Sequence, residues 1–184
     1  LKEVLCARFG LQTDQITLGN GSNDVLELVA RAFLTADDEA IYSQYGFLVY
    51  PIVTQTCGAR GVEVPAKGWS HDLTAMAKAV TKRTKVIFIA NPNNPTGTWF
   101  DSDTFVQFMA GVPEDVIVVL DEAYTEFFPE SVTNGVKLCH QYPNLVVTRS
   151  FSKAYGLAGL RVGYAVANPQ ITDVLNRVRQ PFNV

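Results

Sequence analysis

The residues best suited to chemistry stand in a few short segments, and one segment carries an amine. In Ser150-Phe151-Ser152-Lys153-Ala154-Tyr155-Gly156-Leu157-Ala158-Gly159-Leu160-Arg161, Lys153 is flanked by hydroxyls inside a run of small residues, and Arg161 follows. A lysine usually lies on a solvated face, but one set among small apolar neighbours is suited to act as a nucleophile; such surroundings are expected here. Asp121-Glu122-Ala123-Tyr124 follows five apolar residues, 116–120. A carboxylate directly behind such a stretch is partly buried and needs a partner, either a helix start or a cationic ligand atom. Asn91-Pro92-Asn93-Asn94-Pro95-Thr96-Gly97 is a stiff polar turn that fixes an amide in space with little entropy left to lose. Gly19-Asn20-Gly21-Ser22-Asn23-Asp24 opens a helical pattern. It reads either as a helix capped by Ser22 or Asn23 or as an anion site made of free N–H groups and a positive dipole end. It is neither a Walker loop nor a GxGxxG fingerprint. Tyr45, in SQYGF, offers a flat wall to an aromatic ligand or packs as a surface aromatic.

These segments stand after candidate strands, so the elements that position them matter. Strands are expected at 16–18, 39–42, 61–64, 85–90, 115–120, 144–149 and 162–167. KVIFIA, VIVVL and NLVVT are continuous and rich in β-branched residues, as strands covered on both faces should be. Helices are expected at 23–34, 47–56, 73–80, 101–109, 132–140 and 171–178. In the first, apolar residues at 25, 26, 28, 29, 30, 33 and 34 make a broad face fit to pack on a sheet. Alternating strands and helices imply an α/β layered domain with a mostly parallel sheet, and such sheets bind ligands beyond the carboxyl ends of their strands.

Composition narrows the function classes. The 184 residues are 47% hydrophobic and 18% charged, which is globular composition for about one domain. Fifteen basic against eighteen acidic residues leave a net charge of −3, a poor footing for sequence-independent nucleic-acid binding. No apolar run reaches the ~18 residues of a membrane span. Cys6, Cys57 and Cys139 fit neither a disulfide framework nor a metal-ligand spacing, so reduced, buried thiols and a cytoplasmic home are expected. His71 and His140 lie in polar, loop-like contexts and suggest no metal site. The chain opens on Leu1 within a helical pattern and closes on RQPFNV, so it is expected to be a piece of a longer protein.

Taken together, the candidates form one set of chemical requirements: an anion site with serines and Arg161, an aromatic wall, an Asn, an Asp with a Tyr three residues on, and an amine. Pyridoxal 5'-phosphate needs all of them. Its phosphate takes backbone N–H groups, hydroxyls and a guanidinium. Its pyridine nitrogen takes a carboxylate, and its aldehyde takes a lysine.

NPNNPTG, the strand followed by DEAY, and SFSKAYGLAGLRVGY resemble the signature regions of fold-type I pyridoxal-phosphate-dependent aminotransferases, in order and spacing. GNGSND, the tyrosine of SQYGFLVY and the closing RQPFNV are similar to the class II branch and its histidinol-phosphate aminotransferase family. The resemblance covers the whole chain. It implies a three-layer αβα large domain of the aspartate aminotransferase-like fold, with a mostly parallel seven-stranded sheet over residues 1–184. The N-terminal arm and a C-terminal small domain would lie outside it. It implies Lys153 as the Schiff-base lysine and proton carrier, Asp121 at the pyridinium nitrogen, and Tyr124 and Asn94 at the phenolic oxygen. Tyr45 would stack on the ring, and Ser22, Asn23, Ser150, Ser152 and Arg161 would hold the phosphate.

The implied activity is amino-group exchange between histidinol phosphate and 2-oxoglutarate, in a cytoplasmic homodimer. The implied partners are small-molecule amino donors and 2-oxo acids, not nucleic acid or membrane. Aromatic-amino-acid aminotransferases and threonine-phosphate decarboxylases would carry the same cofactor residues. Transcription regulators with an aminotransferase-like sensing domain are a further alternative, which QPFN disfavours.

Overall fold

The computed structural model describes residues 1–129, 132 and 134–184. Every expected strand is present: β1 Ile16–Gly19, β2 Glu39–Ser43, β3 Arg60–Val64, β4 Thr84–Ala90, β5 Ile117–Asp121, β6 Leu145–Ser150 and β7 Gly163–Ala167. They form one sheet in the order β1-β7-β6-β5-β4-β2-β3. The pairs β2·β3, β2·β4, β4·β5 and β5·β6 are parallel, while β7 runs antiparallel to both β6 and β1.

The period-2 alternation of strand side chains sorts the sheet into two cores. Val86, Phe88 and Ala90 of β4, with Val119 of β5 and Val146 of β6, pack under α2 Ser22–Phe33, α3 Val49–Thr56 and α7 Pro169–Val178. Ile87, Ile89, Val118, Leu120, Leu145 and Val147 face the other way. They meet α1 Lys2–Phe9, α4 Leu73–Lys78, α5 Ser102–Met109 and α6 Gly135–Leu138. Both faces are covered, which is why these strands read as unbroken apolar runs. The result is the three-layer αβα architecture with a mostly parallel sheet that the sequence implied.

Register then gathers the chemistry. Ala90 pairs with Asp121, and Asp121 with Thr148. Ser150 pairs with Gly163, which in turn pairs with Gly19. The carboxyl ends of β1, β4, β5 and β6 therefore share one edge, and the loops that follow them meet there.

Some expected boundaries shift. The helix expected at 132–140 contracts to Gly135–Leu138, and its Thr133 lies outside the described residues. Asp121 is the last residue of β5 rather than the first beyond it. Gly21, with φ 87°, is the N-cap of α2; neither Ser22 nor Asn23 caps it, and no side chain does. His71 lies in a loop but is turned inward, its Nε2 2.9 Å from the Ala90 carbonyl, and burial lowers its pKa. Cys139 is buried, with its thiol pushed up to about 12 by burial, while Cys6 and Cys57 are only half-buried. No helix among the described residues is long and apolar enough to cross a membrane.

Candidate active site

The loops after β1, β2, β4, β5 and β6 enclose a cleft lined by Ser22, Asn23, Phe47, Ala90, Pro92, Asn94, Asp121, Ala123, Tyr124, Ser150, Ser152, Lys153 and Arg161. All the expected site residues except Tyr45 are in that lining. They come from five separate stretches of chain, and the sheet register is what unites them.

Asp121 is the most buried charged group in the cleft lining. It is 5% exposed at the end of β5, where Tyr50 donates to Oδ2 at 3.0 Å and Thr148 donates to Oδ1 at 2.9 Å. Burial raises its pKa; the hydrogen bonds from Thr148, Tyr50 and the Ala123 N–H, and the charge of Lys153, oppose this only in part. Tyr50 is fully buried on α3 and stacked on Phe88 at 5.1 Å. Burial and the neighbouring Asp121 hold its hydroxyl well above the ordinary phenol value, so it remains a donor. A buried carboxylate held by two neutral donors is suited to a cationic ligand atom. Neither Tyr50 nor Thr148 was among the sequence candidates. The available signal was a polar atom inside an apolar pattern, which must find a partner when buried.

The next residue, Glu122, points to the opposite face. Its Oε2 accepts from Arg149 Nε and Nη2 at 2.9 and 2.7 Å, and its Oε1 from the Gly135 N–H at 2.6 Å. Burial opposes both charges; at Arg149 the charge and hydrogen bond of Glu122, with Tyr164 and Glu126, together outweigh it and raise the guanidinium pKa. This buried pair anchors the Asp121–Tyr124 segment to β6 from below.

An anion cradle forms where α2 begins. Its uncapped N-terminus leaves N–H groups without side-chain partners. Arg161 Nη1 donates to Ser152 Oγ at 3.3 Å and to the Ala158 carbonyl at 2.9 Å, while Nη2 lies 3.5 Å from the Asn20 carbonyl. The Ser152 N–H donates to Ser150 Oγ at 3.0 Å. Two glycines make the close approach feasible. A Cβ on Gly21 would stand 2.5 Å from Arg161 Nη2, and one on Gly163 would collide with the Ser22 nitrogen. Arg161 itself adopts left-handed backbone, φ 52° and ψ 53°. For a non-glycine residue that costs ~1–3 kcal/mol and is characteristic of ligand clamps. The closing segment folds back onto β1 and this loop: Asn183 Nδ2 donates to the Leu18 carbonyl at 3.0 Å and the Val184 N–H to Asn20 Oδ1 at 3.4 Å.

Lys153 Nζ sits 5.2 Å from the Tyr124 ring centroid. The small apolar surroundings expected for Lys153 are not there. Residues 153–161 are exposed, because the glycines and alanines of this loop offer few side-chain atoms to pack. Asn94 lines the cleft from the turn after β4, in which the Asn91–Pro92 and Asn94–Pro95 bonds are cis.

Tyr45 stands outside the lining. Its ring packs on Trp69, centroids 5.0 Å apart, and its carbonyl accepts from Asn93 Nδ2 at 2.8 Å. Phe47, two residues on and edge-to-face with Tyr50 at 5.9 Å, supplies the aromatic surface inside the cleft. Phe47 was also absent from the sequence candidates, although SQYGF holds both rings.

Residues 1–184 match the family model of class I and II aminotransferases. The chain is 59% identical to histidinol-phosphate aminotransferase 2 of Pseudomonas fluorescens, over all of this chain and 50% of that protein. It resembles the crystal structure of histidinol-phosphate aminotransferase from Sinorhizobium meliloti in complex with pyridoxal-5'-phosphate. The TM-score is 0.93 and the identity 31%, over 97% of this chain and 49% of that one. It also resembles L-threonine-O-3-phosphate decarboxylase from Porphyromonas gingivalis, with a TM-score of 0.82 and 25% identity over 96% of this chain and 54% of that one. The chain spans about half the length of the curated relatives it matches.

Proposed function

The chain belongs to the class I and II aminotransferases, and from that premise we propose that residues 1–184 are the cofactor-binding domain of a longer, pyridoxal-phosphate-dependent histidinol-phosphate aminotransferase. The enzyme would exchange the amino group between histidinol phosphate and 2-oxoglutarate, a step of histidine biosynthesis. The observation that carries this reading is the single cleft shared by a buried carboxylate, an amine and an anion cradle. The similarity to histidinol-phosphate aminotransferases supports the substrate.

The residues present fit the cofactor. The cradle closed by Gly21, Gly163 and Arg161 has the donors a phosphate requires, and Asp121 is a buried carboxylate whose hydrogen-bonding side chains, Tyr50 and Thr148, are neutral. When bound, pyridoxal phosphate supplies an electron sink for the pair left at the substrate Cα. The α2 N–H groups at Ser22 and Asn23, the Ser150 and Ser152 hydroxyls and Arg161 would hold its phosphate. Asp121, oriented by Tyr50 and Thr148, would keep a proton on the pyridine nitrogen. Tyr124 and Asn94 would donate to the phenolic oxygen, while Phe47 would wall the ring. Lys153 would bind the aldehyde carbon covalently and, once released, carry the proton to and from the substrate Cα.

A cytoplasmic homodimer is part of the same proposal. Leu48 and Ile52, one turn apart at the outer face of α3, are 70% and 48% exposed, the kind of apolar surface that a second subunit covers.

With the full-length protein and 2-oxoglutarate as acceptor, histidinol phosphate is expected to give a higher kcat/KM than any aromatic amino acid. Preference for an aromatic donor, or release of carbon dioxide from threonine phosphate, would overturn the substrate assignment. Arg161→Ala is expected to raise the dissociation constant for pyridoxal phosphate roughly 10- to 100-fold, as for a lost charge-assisted contact. Equilibrium titration of the cofactor-free protein checks this, and unchanged affinity would move the phosphate elsewhere.

A further inference from the structure

Trp69 belongs to none of the roles above, yet its backbone and its exposure are both unusual. Lys67 and Ser70 exchange N–H···O bonds of 3.0 and 3.1 Å across a two-residue turn whose central residues, Gly68 and Trp69, have φ of 56° and 69°. Such turns favour Gly, Asn and Asp, and a bulky aromatic at positive φ is an outlier. Turn stability therefore does not explain a tryptophan here. Core packing does not either, since Trp69 is 64% exposed.

What the residue does is close a ring of contacts around Tyr45 and the turn after β4. The Trp69 ring lies on Tyr45 at 5.0 Å with an interplanar angle of 32°. The Trp69 carbonyl accepts from Thr98 Oγ1 at 3.3 Å, and Thr98 Oγ1 is 2.9 Å from Thr96 Oγ1. Thr96 Oγ1 accepts from Asn93 Nδ2 at 2.8 Å, and the same amide donates to the Tyr45 carbonyl at 2.8 Å. One residue therefore ties Tyr45 by its ring and the 93–98 turn by its carbonyl, and Asn94 in that turn lines the cleft.

We propose that Trp69 is a positioning residue: its ring holds Tyr45, whose carbonyl holds Asn93, and its strained turn clamps the same 93–98 loop, which together set the Asn94 amide that a planar ligand meets. The proposal rests on the reading of the cleft as a pyridoxal phosphate site.

The test uses the full-length protein with two variants. Trp69→Asn suits the left-handed backbone and removes the ring, whereas Trp69→Phe keeps a ring. The thermal midpoint of the cofactor-free protein is measured beside the dissociation constant for pyridoxal phosphate, from absorbance titration. Trp69→Asn is expected to hold or raise the midpoint while weakening cofactor affinity roughly 3- to 10-fold, the scale of one aromatic pair. Trp69→Phe is expected to restore most of that affinity. Unchanged affinity in Trp69→Asn, a midpoint that falls with it, or no recovery in Trp69→Phe would each overturn the proposal. If the unaltered protein binds no pyridoxal phosphate, the functional reading fails instead, and the two failures are distinct.

Discussion

Full-length protein carrying Lys153→Ala is expected to lose amino-group transfer by at least about 10⁴-fold, because one amine serves as both nucleophile and proton carrier. It should also hold no cofactor on the chain after borohydride reduction, whereas the unaltered protein should be labelled at Lys153. The loss is separable from unfolding. Lys153 is exposed, and its Nζ lies 5.2 Å from the Tyr124 ring centroid, so truncation should change stability by no more than about 0.5 kcal/mol. Thermal melting and the reduction assay together check this. Cofactor still fixed to the chain in Lys153→Ala would remove Lys153 from the role.

Asp121→Asn is expected to lower kcat about 10²- to 10³-fold, the effect of removing one preorganised charge from a site where charge develops. The buried carboxylate has two neutral donors, from Tyr50 and Thr148, and an amide of the same shape can keep at least one of them. The variant should therefore fold. Its pH response separates electrostatics from packing. Burial raises the Asp121 pKa in the folded, cofactor-free protein, so the folded state takes up a proton more readily than the unfolded chain. The associated stabilisation is full below the ordinary carboxylate value and is lost as pH rises through the folded value. The unaltered protein should thus lose stability relative to Asp121→Asn as pH climbs through that window. A difference independent of pH, or near-normal turnover in the variant, would rule the assignment out.

Much of the site was legible because strand ends announce themselves. A polar residue directly behind a β-branched run, as in VIVVLDEAY or KVIFIANPNNP, marks the carboxyl edge of a parallel sheet, where ligands bind. Asp121, Ser150 and an asparagine of the NPNNP turn followed from that pattern, Asn94 itself from the family resemblance, and Ser22, Asn23, Lys153 and Arg161 from loops rich in glycine. The residues that serve these groups were not legible. Tyr50 lies in an apolar helix pattern and Thr148 inside a strand, and nothing local says that both point at Asp121. The apolar setting expected for Lys153 failed for the complementary reason: residue type describes what a loop contains, not what covers it.

The sequence by itself determined the alternation of strands and helices, the two-sided burial of the central strands, and the chemical inventory at their ends. These follow from periodicity and residue type, which are properties of short windows. Only the tertiary structure decided that β7 inserts antiparallel between β1 and β6, which brings Gly163 against Ser22 and Arg161 against Gly21. It alone turned Tyr45 onto Trp69, left Phe47 in the cleft, and set Glu122 on the face opposite Asp121. Each of these depends on strand order, register or ring packing between segments far apart in the chain, where the winning arrangement is chosen by close packing and polar satisfaction over the whole sheet.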